Sequence, residues 1–246
     1  QVAAGVDQGA EEGAYQDGDG PAAQRHGTPG IDPSDPFFEF FKRFQSPQGR
    51  GGEVPGQRAV PTRGQGSGFI VSADGVILTN AHVVSGLGEV GVQVRGQGPT
   101  LRGSVVLFDP ARDLAIIAVP RLSAPALALG DPLGRSDDAV IAGFPLDGPL
   151  RVDAARVRDR ILATGQDIYG QAGVTRHIYS LYSRVESGNS GGPLLDTSGR
   201  VVGVVFARSV DDDHTGYALT LEEAAPVLQA AAAARTAVST GACISG

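Results

Sequence analysis

Between Ser67 and Thr220 the chain is a succession of short apolar runs punctuated by turn residues, and this pattern restricts it to few folds. Ser67-Gly68-Phe69-Ile70-Val71 and Gly75-Val76-Ile77-Leu78-Thr79-Asn80 flank an Ala-Asp-Gly turn, a strong hairpin signal. Val90 to Val94, Ser104 to Phe108 and Leu114 to Val119 continue the pattern. Ala139 to Ala142, Val152 to Leu162, His177 to Val185, Val201 to Phe206 and Tyr217 to Thr220 repeat it. Many short strands separated by turns suggest an all-β sandwich or barrel. From Leu221 the pattern changes. Thr220 and Glu223 fit a capping box, and Ala224 to Arg235 is rich in helix formers. Pro226 must then lie near the first turn or kink the helix.

These shifts divide the chain into four parts. Residues 61–125 and 126–220 are the two strand-rich units, and 221–246 is a C-terminal helix with a loose tail. Residues 1–60 lack periodicity, are rich in Gly, Gln, Asp and Pro, and are expected to be a disordered tail. One aromatic segment, 35–44, interrupts them with five of the nine phenylalanines. Phe37, Phe40, Phe41 and Phe44 fall on one face of a short helix. Two readings stand side by side. The segment packs back on its own domain, or it contacts a client or a second subunit and makes a homo-oligomer.

Acids outnumber bases 27 to 20, for a formal net charge of −7, which argues against a nucleic-acid partner. The chain contains no methionine, so its first residue is not expected to be a natural initiator. No run approaches the roughly 20 apolar residues of a membrane helix, and no signal peptide is present. Cys243 is the only cysteine and so forms no internal disulfide. No His/Cys/Asp cluster has metal-ligand spacing, so neither metal nor cofactor is expected.

The chemistry is concentrated in three motifs. Gly188-Asn189-Ser190-Gly191-Gly192-Pro193-Leu194 places a serine in a glycine-rich turn. Thr79-Asn80-Ala81-His82-Val83-Val84 and Asp113-Leu114-Ala115-Ile116 stand upstream of it. A serine hydroxyl is a poor nucleophile at neutral pH unless a base lies within hydrogen-bond reach and a third group fixes the base's tautomer. Ser190 is therefore assigned as nucleophile, His82 as general base and then acid, and Asp113 as the orienting carboxylate. Asp113 begins an apolar run, where a carboxylate is costly unless hydrogen-bonded, and the His82 ring would provide that bond. The backbone N–H groups of Gly188 and Ser190 are the natural oxyanion pair.

Each motif has a plainer reading. The serine turn could be an ordinary glycine-rich turn, His82 a core histidine, and Asp113 a cap in Asp109-Pro110-Ala111-Arg112-Asp113. Together these readings require three coincidences. His26, His177 and His214 lack comparable contexts, and Gly66-Ser67-Gly68 precedes a strand rather than a helix, which disfavours a nucleotide loop.

Gly66-Ser67-Gly68-Phe69-Ile70 through Asn80-Ala81-His82-Val83-Val84, with Asp113-Leu114-Ala115, resembles the HtrA-type (Deg) branch of the chymotrypsin-like serine proteases. Asp35-Pro36-Phe37-Phe38 resembles the segment before the protease domain in some HtrA proteins. The second half is similar to the acid-resistance periplasmic serine proteases of actinobacteria. The similar stretches there are Asp167 to Gly170, Gly188 to Leu194, Gly203 to Phe206, Asp211-Asp212 and Ser239 to Cys243. The resemblance implies two six-stranded antiparallel β-barrels with the triad in the cleft between them. HtrA proteins usually carry a C-terminal PDZ domain, and the acid-resistance proteases carry N-terminal membrane helices; this chain shows neither. The acid-resistance proteases are also expected to tie the C-terminal cysteine to one near the start of the first barrel, and Cys243 has no such partner.

In this fold the residue six positions before the nucleophile, here Arg184, usually sits near the base of the S1 pocket. No aspartate attracts a basic side chain, so trypsin-like specificity is not expected. Arg184 could instead point outward, leaving Phe206, Ala207 and Arg208 to shape a modest apolar pocket. The strand around them should pair with an extended peptide. The expectation is a serine endopeptidase of extended or unfolded proteins, periplasmic, cell-envelope-bound or secreted, in stress response or quality control. The alternative is a catalytically silent protease fold that holds peptides in the same cleft.

Overall fold

A computed structural model describes residues 3–8, 65–209 and 211–244. Twelve strands form two closed antiparallel barrels of six. The first contains β1 (Ala3–Gln8), β2 (Gln65–Ser72), β3 (Val76–Thr79), β4 (Val90–Val94), β5 (Leu101–Asp109) and β6 (Leu114–Ala118), in the order β1-β2-β3-β6-β5-β4. The second contains β7 (Asp138–Gly143), β8 (Arg151–Gln166), β9 (Ala172–Tyr182), β10 (Pro193–Asp196), β11 (Val201–Arg208) and β12 (Thr215–Thr220), in the order β10-β11-β12-β9-β8-β7. A one-turn helix α1 (Ala81–Val84) follows β3, and α2 (Leu221–Ala231) follows β12. No helix among the described residues is long and apolar enough to cross a membrane.

Within the segment read as a tail, residues 3–8 form strand β1. Ala3 pairs with Phe69 of β2, and Gln8 pairs with Val90 of β4. Without β1 the first barrel would leave backbone donors and acceptors of both neighbours unpaired along an open seam. Ala-Ala-Gly-Val-Asp-Gln carries no alternation of its own; the two waiting edges decide its conformation. The Phe37–Phe44 segment, read either as packing on its own domain or as a contact to a client or a second subunit, lies outside the described residues.

Alternation along the strands sorts the core. Ile70, Ile77, Val92, Val105 and Ile117 share one buried cluster, and Ile141, Val157, Leu181, Leu194 and Val205 a second. Their strand neighbours Phe69, Leu78, Ile116, Leu195, Val204 and Phe206 point to the opposite faces and meet in a third cluster with Ala224, Val227 and Ala231 of α2. Strands β3, β10 and β12 are consequently buried at every position. The Thr220 hydroxyl caps α2 by accepting the Glu223 N–H at 3.3 Å. The reciprocal half of the box is used elsewhere, since the Glu223 carboxylate accepts the His177 N–H at 3.1 Å and pairs with Arg112 Nε at 3.2 Å.

The β10–β11 turn is held by one carboxylate. Asp196 accepts from the Ser198 hydroxyl (2.6 Å), the N–H groups of Ser198 and Arg200 (2.9 Å each) and Arg200 Nε (3.0 Å). The Ser198 hydroxyl, foremost, with the backbone donors and Arg200, holds its pKa down at about 2 against an ordinary 3.8. A pKa lowered by folding stabilises the native state above the unfolded value, and this contribution is lost as pH falls from about 4 to about 2. Asp196→Asn is expected to cost on the order of 1–2 kcal/mol at pH 7. Thermal melts from pH 7 to 2 should show the gap to wild type closing across that acid window.

Candidate active site

One half of the site is built where β3 and β6 lie side by side. Thr79 pairs with Ala115, so the residues after β3 and those before β6 emerge together. Asp113 stands at that exit, fully buried, in a left-handed conformation (φ +59°) that is rare for a non-glycine residue. Asp109 caps the preceding turn through the Arg112 N–H and Nη1, both at 2.9 Å, which leaves the Asp113 carboxylate for other partners. It takes two from α1: the His82 N–H on Oδ1 at 2.9 Å and the His82 ring Nδ1 on Oδ2 at 2.7 Å. Asn80 Nδ2 donates to the Asp113 carbonyl at 2.8 Å. An ionised carboxylate only accepts, so the ring proton is assigned to Nδ1, and Nε2 keeps its lone pair.

The other half is the turn between β9 and β10, and its peptide planes are pinned one by one. The Ser187 carbonyl accepts the Leu146 N–H at 2.7 Å. The Gly188 N–H lies on the same trans peptide plane and points the opposite way. The Gly188 carbonyl accepts the Ser67 hydroxyl at 2.6 Å. The Asn189 carbonyl accepts the Gly192 N–H at 2.9 Å, which turns the Ser190 N–H outward by the same logic. The Ser190 carbonyl accepts the Ser67 N–H at 2.8 Å, and the Gly191 N–H donates to Val205 at 2.8 Å. Buried Asn189 closes the turn on Glu186, accepting its N–H at 2.9 Å and donating its own N–H to the Glu186 carbonyl at 3.0 Å. Neither the Gly188 nor the Ser190 N–H donates to a described residue. Both remain available to an anion.

The two halves meet at Gly66. A Cβ built there would lie 3.2 Å from the Ser190 carbonyl oxygen and 2.6 Å from Val83 Cγ1, beside His82. The Ser190 hydroxyl makes one long contact, 3.4 Å to the Phe206 carbonyl, and is therefore only loosely held.

The loop after β7 supports the serine turn. Leu146 and Asp147 both have positive φ (+54° and +57°), and the Leu146 side chain is exposed. Gly188 packs so closely on this loop that an added Cβ would stand 2.3 Å from the Phe144 carbonyl oxygen, and its φ is +94°. Gly188→Ala is therefore expected to swing the candidate oxyanion donor away. A loss of about 10²–10³-fold in kcat follows from loss of one such donor, with the circular dichroism spectrum unchanged.

Arg184 takes the outward orientation: its side chain is 64 % exposed and pairs with Glu186 at 3.4 Å. Phe206 and Ala207 are buried in the core cluster, and the Phe206 carbonyl faces the Ser190 hydroxyl. Arg208 is half-buried. The β10–β11 ladder stops at Val204, and the Gly191–Gly192 backbone carries it to Val205. Ala207 and Arg208 remain paired to β12 on the other side.

Two contributors are absent from the motif reading. Arg176, on β9 of the second barrel, is buried and donates from Nε to the Ala111 carbonyl in the Asp113 turn at 2.8 Å. Burial pushes its guanidinium below its ordinary pKa, and the carboxylates of Asp113, Glu223, Asp167 and Asp109 oppose that. Ser67, on β2, contacts the serine turn twice. Neither role is legible locally, even though Ser67 falls in the Gly66-Ser67-Gly68 run, because each acts across the barrel interface. Asp167 and Tyr169, at the β8–β9 tip, belong to a brace rather than to the chemistry. The Ile168 N–H reaches the Pro110 carbonyl (3.3 Å), and the Tyr169 hydroxyl reaches that of Thr240 (3.2 Å). Cys243 is exposed and free, with its Sγ 3.8 Å from the Gly86 carbonyl.

Residues 66–204 match a trypsin-like peptidase domain. Serine protease Rv3671c of Mycobacterium tuberculosis is 44 % identical over 183 residues, covering 74 % of this chain and 45 % of the relative. The putative serine protease HhoA of Synechocystis is 35 % identical over 210 residues, covering 82 % of this chain and 50 % of the relative. The chain thus spans about half the length of the curated relatives it matches. The crystal structure of Rv3671c in its active form superposes with a TM-score of 0.71 at 41 % identity, covering 75 % of this chain and 81 % of that one. An inactive form of the same protease gives 0.61 at 40 % identity, covering 68 % and 83 %.

Proposed function

We propose that this chain, which belongs to the trypsin-like peptidase family, is a serine endopeptidase that cleaves extended segments of proteins through an acyl-enzyme. The observation that carries the reading is the buried Asp113 carboxylate bonded to the His82 ring at 2.7 Å, beside a serine turn with two N–H groups that donate to no described residue. The Ser190 hydroxyl attacks the scissile carbonyl while its proton passes to His82 Nε2. The resulting oxyanion is held by the N–H groups of Gly188 and Ser190. His82 returns the proton to the leaving amine, which leaves an ester on Ser190. Water then attacks the ester, gives its proton to His82, and the acid departs as Ser190 recovers its hydrogen. Asp113 keeps the imidazole in one tautomer and stabilises the imidazolium that forms.

The backbone of Phe206 to Arg208 is the proposed strand against which an extended peptide aligns. Arg184 contributes at the rim rather than at the base of a pocket. The greater similarity to the active form of the mycobacterial protease supports a turn that is already arranged for reaction. A location outside the cytoplasm, with a role in quality control, is supported by a relative named a probable periplasmic serine endoprotease DegP-like from Ectopseudomonas mendocina, 31 % identical over 83 % of this chain.

Labelling with a fluorophosphonate probe tests the reading. Wild type should label and Ser190→Ala should not. Folded wild type that stays unlabelled across pH 5 to 8 would replace the peptidase by a silent peptide-holding module.

A further inference from the structure

Ser67 uses every polar atom it has on the machinery around it. Its N–H donates to the Ser190 carbonyl (2.8 Å), and its hydroxyl donates to the Gly188 carbonyl (2.6 Å). The same hydroxyl oxygen accepts the Phe144 N–H at 2.9 Å. Its carbonyl accepts the Thr79 hydroxyl at 2.7 Å, one residue before the Asn80-Ala81-His82 segment. The side chain is fully buried, so no water competes for these bonds. Ser67 belongs to the first barrel; Phe144, Gly188 and Ser190 belong to the second.

Consider what the turn would do without the hydroxyl. The Gly188 carbonyl would be a buried acceptor without its partner, and Phe144 would lose the acceptor of its N–H. The 188–189 peptide could relieve this by rotating. That rotation would carry the Gly188 ψ with it and release the neighbouring plane, whose N–H is one of the two oxyanion donors. Glycine at 188 lacks the steric barriers of other residues to such a flip, so on this plane only the Asn189 N–H bond to the Glu186 carbonyl, at 3.0 Å, would still oppose it. The Ser67 hydroxyl holds the other edge of the same plane from outside the turn.

We infer that Ser67 is a positioning residue that locks the oxyanion turn across the barrel interface, holding the Gly188 and Ser190 N–H groups in their reactive directions. Ser67 touches no substrate. It acts on the transition state through the turn, and this inference rests on the peptidase reading above.

The test compares wild type, Ser67→Ala and the hydroxyl-retaining Ser67→Thr. Each is assayed for kcat and KM on reduced, carboxymethylated α-lactalbumin as an unfolded substrate, and for its fluorophosphonate labelling rate. Rates are normalised to the folded fraction read by circular dichroism. The expected result is a loss of about 10–100-fold in kcat and labelling rate for Ser67→Ala, on the scale of a misaligned oxyanion donor. KM should stay within about twofold, because ground-state binding does not use the oxyanion hole. Ser67→Thr should recover most of the rate. Rates in Ser67→Ala within twofold of wild type would overturn the inference, as would equal losses in both variants, which would assign the effect to packing. Wild type that neither labels nor cleaves would overturn the peptidase reading itself, and this inference with it.

Discussion

Ser190→Ala is expected to lower kcat on an unfolded protein substrate by about 10⁶-fold, with KM little changed. The hydroxyl is the proposed attacking group, and water entering the emptied space lacks its positioning. Adding His82→Ala to the same chain should cost almost nothing more, since nucleophile and base act as one unit. A second loss as large as the first would mean that His82 serves some process independent of Ser190. The fold should not suffer, because among the described residues the Ser190 hydroxyl makes one long contact, to the Phe206 carbonyl at 3.4 Å. Melting temperatures within a degree or two, measured beside the kinetics, check this.

Asp113→Asn is expected to lower kcat by about 10⁴-fold at neutral pH. The amide is nearly the same size, so the cavity remains filled. Its NH₂ group must face either the His82 N–H or the ring nitrogen, which the carboxylate now contacts at 2.9 and 2.7 Å. The backbone N–H cannot give up its proton, so the amide oxygen stays there and the NH₂ faces the ring. That forces Nδ1 to accept and places the ring proton on Nε2, where the base must be empty. Asp113→Ala separates this effect from simple loss of a bond: it removes the wrong-tautomer lock but opens a buried cavity and should melt several degrees lower. Proton NMR of the ring N–H signals reads the tautomer directly. An Asn variant with the proton still on Nδ1 would remove the tautomer as the cause of its rate loss.

How much of this was legible in the chain follows from how far each interaction reaches. The hairpin around Ala73-Asp74-Gly75 is local, and β2 and β3 appear where the alternation places them. His82, Asp113 and Ser190 each sit in a distinctive run, and the structure brings the runs of His82 and Asp113 into bonding contact. Strand β10 is only four residues long and opens on Pro193, so its sequence reads as the end of a turn; it is a strand because β7 and β11 flank it. Ala3–Gln8 is a strand for the same reason. Arg184 and Phe206 mark the limit in another way. Their place beside the nucleophile follows from chain position, but whether a side chain points into the cleft depends on neighbours such as Glu186 and the core cluster.

The sequence by itself determined the class of fold and singled out the candidate reacting groups. Short β-branched runs with glycine turns can bury their apolar faces only in closed or stacked sheets, and a nucleophilic serine needs a base and a carboxylate. Only the tertiary structure decided how the groups are held. The Ser67 hydroxyl and the Gly188 carbonyl are 121 residues apart, and Arg176 lies 65 residues from the Ala111 carbonyl it secures. A serine or an arginine at such a position carries no pattern of its own. Its role arises when two barrels close against each other and exclude the water that would otherwise satisfy the same groups.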